Sequence, residues 1–248
     1  MRPLRIIFAL VLVLFCINSP FAQEIKKHPS REFIDLSGTI GEDQGTVSMS
    51  YVHNWGMGKS KKFELGVGGR WTTYFGTKKD FVTAGPASLT RTFTFPFLIV
   101  FAGQKEENID TLSVQRPLIN ALNVSFNMGY QFSPRFYGGI NIDVIGFSFG
   151  RKSSAILTSN GITQTEPVAK PSPFNLLLTG DHDQGSLNSE FFIRYKFDKK
   201  WSIKALYQFV FAEYKTTTIQ QTAPDGTMVD RFRNKANNAG IGIVYHLN

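Results

Sequence analysis

The chain has 248 residues, of which 42% are hydrophobic, 14% aromatic and only 19% charged, with a net charge of +8 and a mean hydropathy of −0.12. A hydropathy near zero excludes a bundle of membrane helices, each of which needs about 20 consecutive apolar residues. The abundance of aromatic residues, with 23 Phe, excludes a disordered chain.

Met1 to Ala22 reads as a secretory signal peptide. Arg2 and Arg5 supply the positive start, Ile6 to Ile17 is an apolar run too short to cross a bilayer, and cleavage is expected after Ala22. Residues 23–30 then form an N-terminal tail. The only cysteine, Cys16, lies in the apolar run behind Phe15, where a lipid-attachment signal would need a small residue. The mature chain is therefore expected to carry no lipid, disulfide or thiolate metal site. Loss of Arg2 and Arg5 leaves a charge of +6, without the Lys/Arg block that nucleic-acid binding would need.

Beyond the tail, apolar and polar residues alternate with period two, the signature of strands with one apolar face. Arg31 to Ile40 is a first strand with Ile34, Leu36 and Ile40 on one side, followed by a turn at Glu42-Asp43-Gln44-Gly45. Val47, Met49, Tyr51 and Trp55 alternate with Ser48, Ser50 and Asn54; residues 56–62 turn the chain. Phe63, Leu65, Val67, Trp71 and Phe75 then alternate with Glu64, Arg70 and Thr72. Residues 77–119 read as a long loop. Its apolar stretch 92–101 reads as a strand extension, a loop over a barrel mouth, or one more hairpin making ten strands; Pro96 argues against a central strand.

Leu122 to Phe132 alternates most clearly, and Ser133-Pro134-Arg135 is a tight turn. In Phe136 to Phe149 the apolar phase slips from Ile140, Ile142 and Val144 to Ile145, Phe147 and Phe149, which points to a β-bulge or to an end leaving the membrane. A second long loop, 151–186, contains Pro167, Pro171 and Pro173, an apolar patch from Phe174 to Leu178, and Asp181-His182-Asp183. Leu187 to Phe197 and Trp201 to Phe211 form a hairpin about Asp198-Lys199-Lys200. A third long loop covers 215–234, and Ala239 to Leu247 is the last strand.

This reading is all-β: a closed antiparallel up-and-down transmembrane β-barrel of eight strands over residues 31–248, with short turns on one side and long loops on the other. A soluble sandwich alternates in the same way, but here aromatic residues gather at the short-turn ends. Trp55, Phe132, Phe136, Phe197, Trp201 and Tyr245 would form a girdle at the membrane boundary. The opposite face carries Glu64, Arg70, Asp143, Glu190, Arg194 and Lys204. An eight-stranded interior is only wide enough for side chains, so these charges are expected to pair and plug the lumen. The alternative is a narrow gated ion path.

The chain resembles the small eight-stranded outer membrane β-barrel proteins, the class of the OmpA and OmpX membrane domains. The most specific element is the C-terminal assembly signal, matched at Gly242 and Tyr245; the chain departs from it at Gly240, at Leu247 in place of a terminal aromatic, and in the extra Asn248. The resemblance implies insertion by the barrel assembly machinery, contact with outer membrane lipids, and residence in the outer membrane of a Gram-negative bacterium. The expected function is a non-enzymatic barrel whose long loops meet an extracellular ligand or partner or serve envelope integrity. The competing reading is a barrel enzyme acting on lipid or peptide through His182, flanked by Asp181 and Asp183 with Ser186 nearby. His28, His53 and His246 lie elsewhere, and no cofactor or metal-ligand spacing is present.

Overall fold

The computed structural model describes residues 30–93, 102–159, 161–178 and 183–247. The predicted signal peptide, nearly all of the tail, most of the 92–101 stretch, and Asp181 and His182 lie outside the described residues. The described chain is almost entirely β, with one helical turn at Ala87–Thr90 and one 3-10 turn at Glu106–Asn108.

The long strands are β1 (Ser30–Gly41), β2 (Gln44–Met57), β3 (Phe63–Gly76), β6 (Leu118–Gln131), β7 (Phe136–Gly150), β11 (Leu187–Lys196), β12 (Trp201–Lys215) and β15 (Arg231–His246). All pairings are antiparallel, and they form a ring-like sheet. Starting at Ser30 of β1, cross-strand partners run Trp55, Leu65, Met128, Ile140, Phe191, Tyr207 and Ala239, and then return to β1 at Ile40. The circuit thus comes back ten residues further along the strand where it began, from 30 to 40. Strand spacing and rise convert that offset into a tilt of about 40°. Side chains alternate across the ring, as in β2, whose buried and exposed positions exchange at nearly every step.

The number of strands differs from the sequence expectation of eight. Fifteen strands are present among the described residues, thirteen of them in one sheet. The additional strands lie in the segments read as long loops: β4 (Lys78–Thr83), β5 (Thr111–Gln115), β8 (Ser153–Ser159), β9 (Ile162–Pro171), β10 (Phe174–Leu176), β13 (Gln221–Thr222) and β14 (Met228–Val229). Several boundaries also move. The last strand begins at Arg231 rather than Ala239 and ends at His246, and β6 begins at Leu118 rather than Leu122. These extensions lack the apolar-out, polar-in pattern because their inward positions turn apolar, with Ile119, Phe232 and Ala236 packed in the interior, while outward positions carry Asn120, Lys235 and Asn237. β3 pairs directly with β6, so β4 and β5 do not form a further hairpin between them.

The added strands build a second circuit that shares the upper ends of β12 and β15. β15 pairs with β4, β4 with β5, β5 with β8, β8 with β9, and β9 returns to β12 at Pro171 and Tyr214. This cap has its own apolar interior, centred on Phe81, Leu112, Val114, Leu157, Tyr214 and Phe232, all buried. The Phe81 and Tyr214 rings meet edge to face at 5.3 Å. Burying six such side chains contributes on the order of 10 kcal/mol before the entropy of ordering the chain is subtracted. A smaller cluster of Leu89, Ala223 and Val229 joins the β13–β14 hairpin to the helical turn.

The phase slip in β7 is a bulge. Val124 pairs with Ile145 and Ser125 with Asp143, leaving Val144 without an opposite residue. Below the bulge β7 pairs with β11; above it, β7 pairs with β10 through Phe147 and Phe174.

Candidate functional site

The interior of the lower ring is polar and closely connected. Arg70 on β3 lies against Asp143 on β7, with Nη2 at 2.5 Å and Nε at 3.0 Å from Oδ1. The other oxygen of Asp143 accepts the Asn123 side-chain amide at 2.7 Å and the Asn188 backbone N–H at 3.0 Å. Arg70 also reaches Glu190 on β11 at 3.2 Å, and Glu190 meets Lys204 on β12 at 3.2 Å. Lys204 in turn pairs with Asp35 on β1. The charges therefore form a chain, Asp143–Arg70–Glu190–Lys204–Asp35, drawn from five strands and almost wholly removed from solvent. An amide and hydroxyl layer adjoins it: the Thr39 and Thr46 hydroxyls both donate to Gln208, whose own amide reaches Glu190.

Every inward charge named from the sequence is buried inside the ring: Glu64, Arg70, Asp143, Glu190, Arg194 and Lys204. Two of their partnerships are not with one another. Glu64 pairs with Arg31, outside the predicted set, and Arg194 has no carboxylate partner among the described residues. The Arg194 guanidinium instead lies 4.2 Å from the ring centres of both Phe33 and Tyr137. Asp35 was missed, although the alternation that points Ile34 and Leu36 outward points Asp35 inward.

The outer face of the same ring is apolar on every strand. Leu36, Met49, Val67, Val124, Ile193, Ile203 and Ile241 are all exposed, Ile241 to 75%. At the short-turn end, the predicted aromatics form pairs, several with partners not predicted. Trp201 packs on Tyr245 at 4.8 Å, Phe132 on Tyr130 at 5.3 Å, Phe136 on Tyr195 at 5.1 Å, and Trp55 on His53 at 4.5 Å. Phe197 is exposed at the same end. His53 points outward and is bonded to Glu32 at 3.0 Å, which gives this histidine a local structural partner. Of the residues matched to the assembly signal, Gly242 faces Ser37 and Lys204 across its two ladders, Tyr245 packs on Trp201, and Leu247 is exposed just past the end of β15.

In the cap, the Glu166 carboxylate gathers the chain after β12. It accepts the backbone N–H groups of Thr218 and Ile219 at 3.0 Å each, the Thr217 hydroxyl at 3.0 Å, and the N–H of Val168 at 3.0 Å. Burial alone would raise this carboxyl, but the N–H groups of Ile219, Thr218 and Val168 and the Thr217 hydroxyl outweigh it and hold the group below the usual carboxylate range. Glu213, fully buried, receives Arg233 at 2.7 Å and Arg231 at 3.6 Å, and both arginines also bond the carbonyl of Asp183.

The surroundings of the catalytic alternative are partly visible. The Ser186 hydroxyl accepts the Glu213 backbone N–H at 3.1 Å, and the Asp183 carboxylate accepts the N–H of Leu178 at 2.8 Å. Both therefore hold backbone, Ser186 that of β12 and Asp183 that of the segment after β10. Among the described residues no group of three or more His, Cys, Asp or Glu is arranged to hold a metal ion.

No protein-family model and no curated protein matches the chain. Among solved structures, it is similar to Ail, the attachment invasion locus protein of Yersinia pestis, at 7% identity over 89% of this chain and 99% of that one, with a TM-score of 0.37. A major outer membrane protein from Thermus thermophilus aligns at 10% identity over 89% of this chain and 100% of that one, TM-score 0.37. Neisserial surface protein A aligns at 6% identity over 87% and 94%, TM-score 0.31.

Proposed function

We propose that the chain is an integral outer membrane β-barrel of a Gram-negative bacterium, exported by its signal peptide, with a lumen closed by its own side chains. The eight long strands cross the bilayer, and the cap stands on the external side. The observation that carries this reading is the unbroken belt of exposed aliphatic and aromatic side chains around the lower ring. A water-soluble monomer rarely exposes more than a few hundred Å² of contiguous apolar surface, whereas a bilayer requires such a belt with aromatic residues at its edge. An inward-facing polar set satisfies the other half of the pattern.

The closed lumen follows from the charge chain and the small space left beside it. One internal cavity at the short-turn end holds about 40 Å³, and one higher up, beside Asp143, about 10 Å³. The cap, rather than flexible loops, is then the surface offered to an extracellular ligand or partner. By its resemblance at Gly242 and Tyr245 the chain would be inserted by the barrel assembly machinery.

Two measurements test this. The protein should fractionate with outer membranes and migrate differently on gels with and without heating; a protein found in the soluble fraction overturns the proposal. Liposomes containing it should not swell in isosmotic small sugars, and solute-selective swelling would overturn the closed lumen.

A further inference from the structure

The cavity of about 40 Å³ opens at the short-turn mouth of the ring. Its lining draws cations from three different places: Arg31 on β1, Arg135 in the turn before β7, and Arg194 and Lys196 on β11. Glu64 is the one carboxylate in the lining, and Arg31 already neutralises it. The cavity is thus strongly positive.

Arg194 sets it apart from a cluster of surface cations. It is only 4% exposed, yet its Nε and Nη1 have no hydrogen-bond partner among the described residues. A buried guanidinium with idle donors is costly unless an anion or other acceptor completes it. Phe33 and Tyr137 hold the guanidinium carbon 4.2 Å from each ring centre, which fixes the group in place and leaves Nε and Nη1 without a partner among the described residues. A fixed guanidinium edge suits the parallel oxygens of a carboxylate or phosphate. The remaining cations decide between these. They approach from separate strands and exceed the single acid by three, which suits a tetrahedral dianion better than a planar monoanion. The space admits about three waters, enough for one phosphoryl group and too little for a sugar or nucleotide.

We propose that this mouth cavity is a binding site for a phosphoryl group, held by the edge of Arg194 and enclosed by Arg135 and Lys196. The group is either free inorganic phosphate or the headgroup of a phospholipid reaching the mouth. The site lies inside the ring, so it does not depend on what surrounds the outer face.

The test uses the full-length mature protein in an alkyl maltoside, which contains no phosphorus. Inorganic phosphate is titrated by calorimetry against chloride at matched ionic strength, and short-chain phosphatidic acid is titrated below its micelle concentration. Saturable binding of inorganic phosphate supports the site with the free ion as ligand; binding of phosphatidic acid alone supports it with a lipid headgroup. Arg194→Gln should weaken that binding about tenfold or more, the loss of charge-assisted bonds to one guanidinium. Arg135→Gln with Lys196→Gln, at the rim, should also weaken it severalfold, and serves where the Arg194 variant does not fold. Absence of binding by both ligands, or binding unaffected by the rim double variant, overturns the proposal.

Discussion

Asp143→Asn is the most informative single change. The substitution keeps the volume of a fully buried side chain but removes its charge and turns an amide donor toward groups that are themselves donors. Asp143 accepts from Arg70 twice, from the Asn123 amide and from the Asn188 backbone. Arg70 would retain the Asn188 carbonyl at 2.5 Å and, as its one remaining acid, Glu190 at 3.2 Å, which Lys204 already shares. Breaking one side of a buried pair costs about 3–5 kcal/mol, and the residual pull of Glu190 places this case near the lower end. The expected loss is about 3 kcal/mol, more than a hundredfold in the unfolding equilibrium. Reversible urea unfolding of the refolded protein in lipid vesicles, followed by tryptophan fluorescence, measures it. Replacing both partners, Arg70→Met with Asp143→Leu, should cost less than the two single losses added together, because neither member of the pair is left facing an empty partner, although Glu190 then keeps only Lys204 and the Asn123 amide and Asn188 N–H lose their acceptor. A loss below about 1 kcal/mol for Asp143→Asn alone is what a solvated pair would give; it would refute the dry interior and with it the closed lumen.

Val124→Arg, in the middle of the outer apolar belt, should cost about 2–4 kcal/mol in a bilayer and reduce the inserted fraction; a change within about 0.5 kcal/mol, as at an ordinary wet surface, would refute the membrane belt. Gly129→Ala should cost about 1–3 kcal/mol in the same urea titration, because a Cβ there would meet the Tyr137 hydroxyl at 2.0 Å and its ring at 2.3 Å; an unchanged midpoint would show that Tyr137 does not lie across that glycine. The Glu166 contribution has a defined pH sense. Its folded pKa is depressed, so its stabilisation is complete above the unfolded value near 4.5 and is lost as pH falls below that toward the folded value. Hydrogen exchange at Thr218 and Ile219 should quicken over that acid window relative to neighbouring amides, after correction for intrinsic rates, and Glu166→Gln should remove the pH dependence. Equal behaviour in parent and variant would refute the anchoring role.

The ring strands were legible because each residue in them has one of two surroundings that differ sharply in polarity. Alternation of Leu122, Val124, Phe126 and Met128 with Asn123, Ser125 and Asn127 therefore gives both strand and phase, and the phase gives the inward charges. The bulge at Val144 was legible for the same reason: an extra residue resets the phase. The cap was not. β5 and β8 are only five and seven residues long, and their partners are set by packing between segments far apart in sequence, about which the local pattern is silent. Pro167 and Pro171 read as loop residues, yet both lie in β9, with Pro171 at its end beside Tyr214. Partner identity inside the ring was equally hidden. Charge counting predicts that Arg194 meets an acid, but the side chains that converge on it are aromatic and come from β1 and β7.

The sharing of β12 and β15 between the two circuits carries a consequence for the order of events during assembly. β4, β5, β8 and β9 leave the ribosome well before β15, yet none of them can complete the cap until the C-terminal strand is in place, because β4 pairs with Phe232 and Arg233. The same strand supplies the seam with β1. Both circuits are thus completed by β15. A chain interrupted before Arg231 is left with one open sheet, still joined through β9 and β12, whose free edges at β1 and β4 make it aggregation-prone, while the arrival of β15 closes both circuits in a single step.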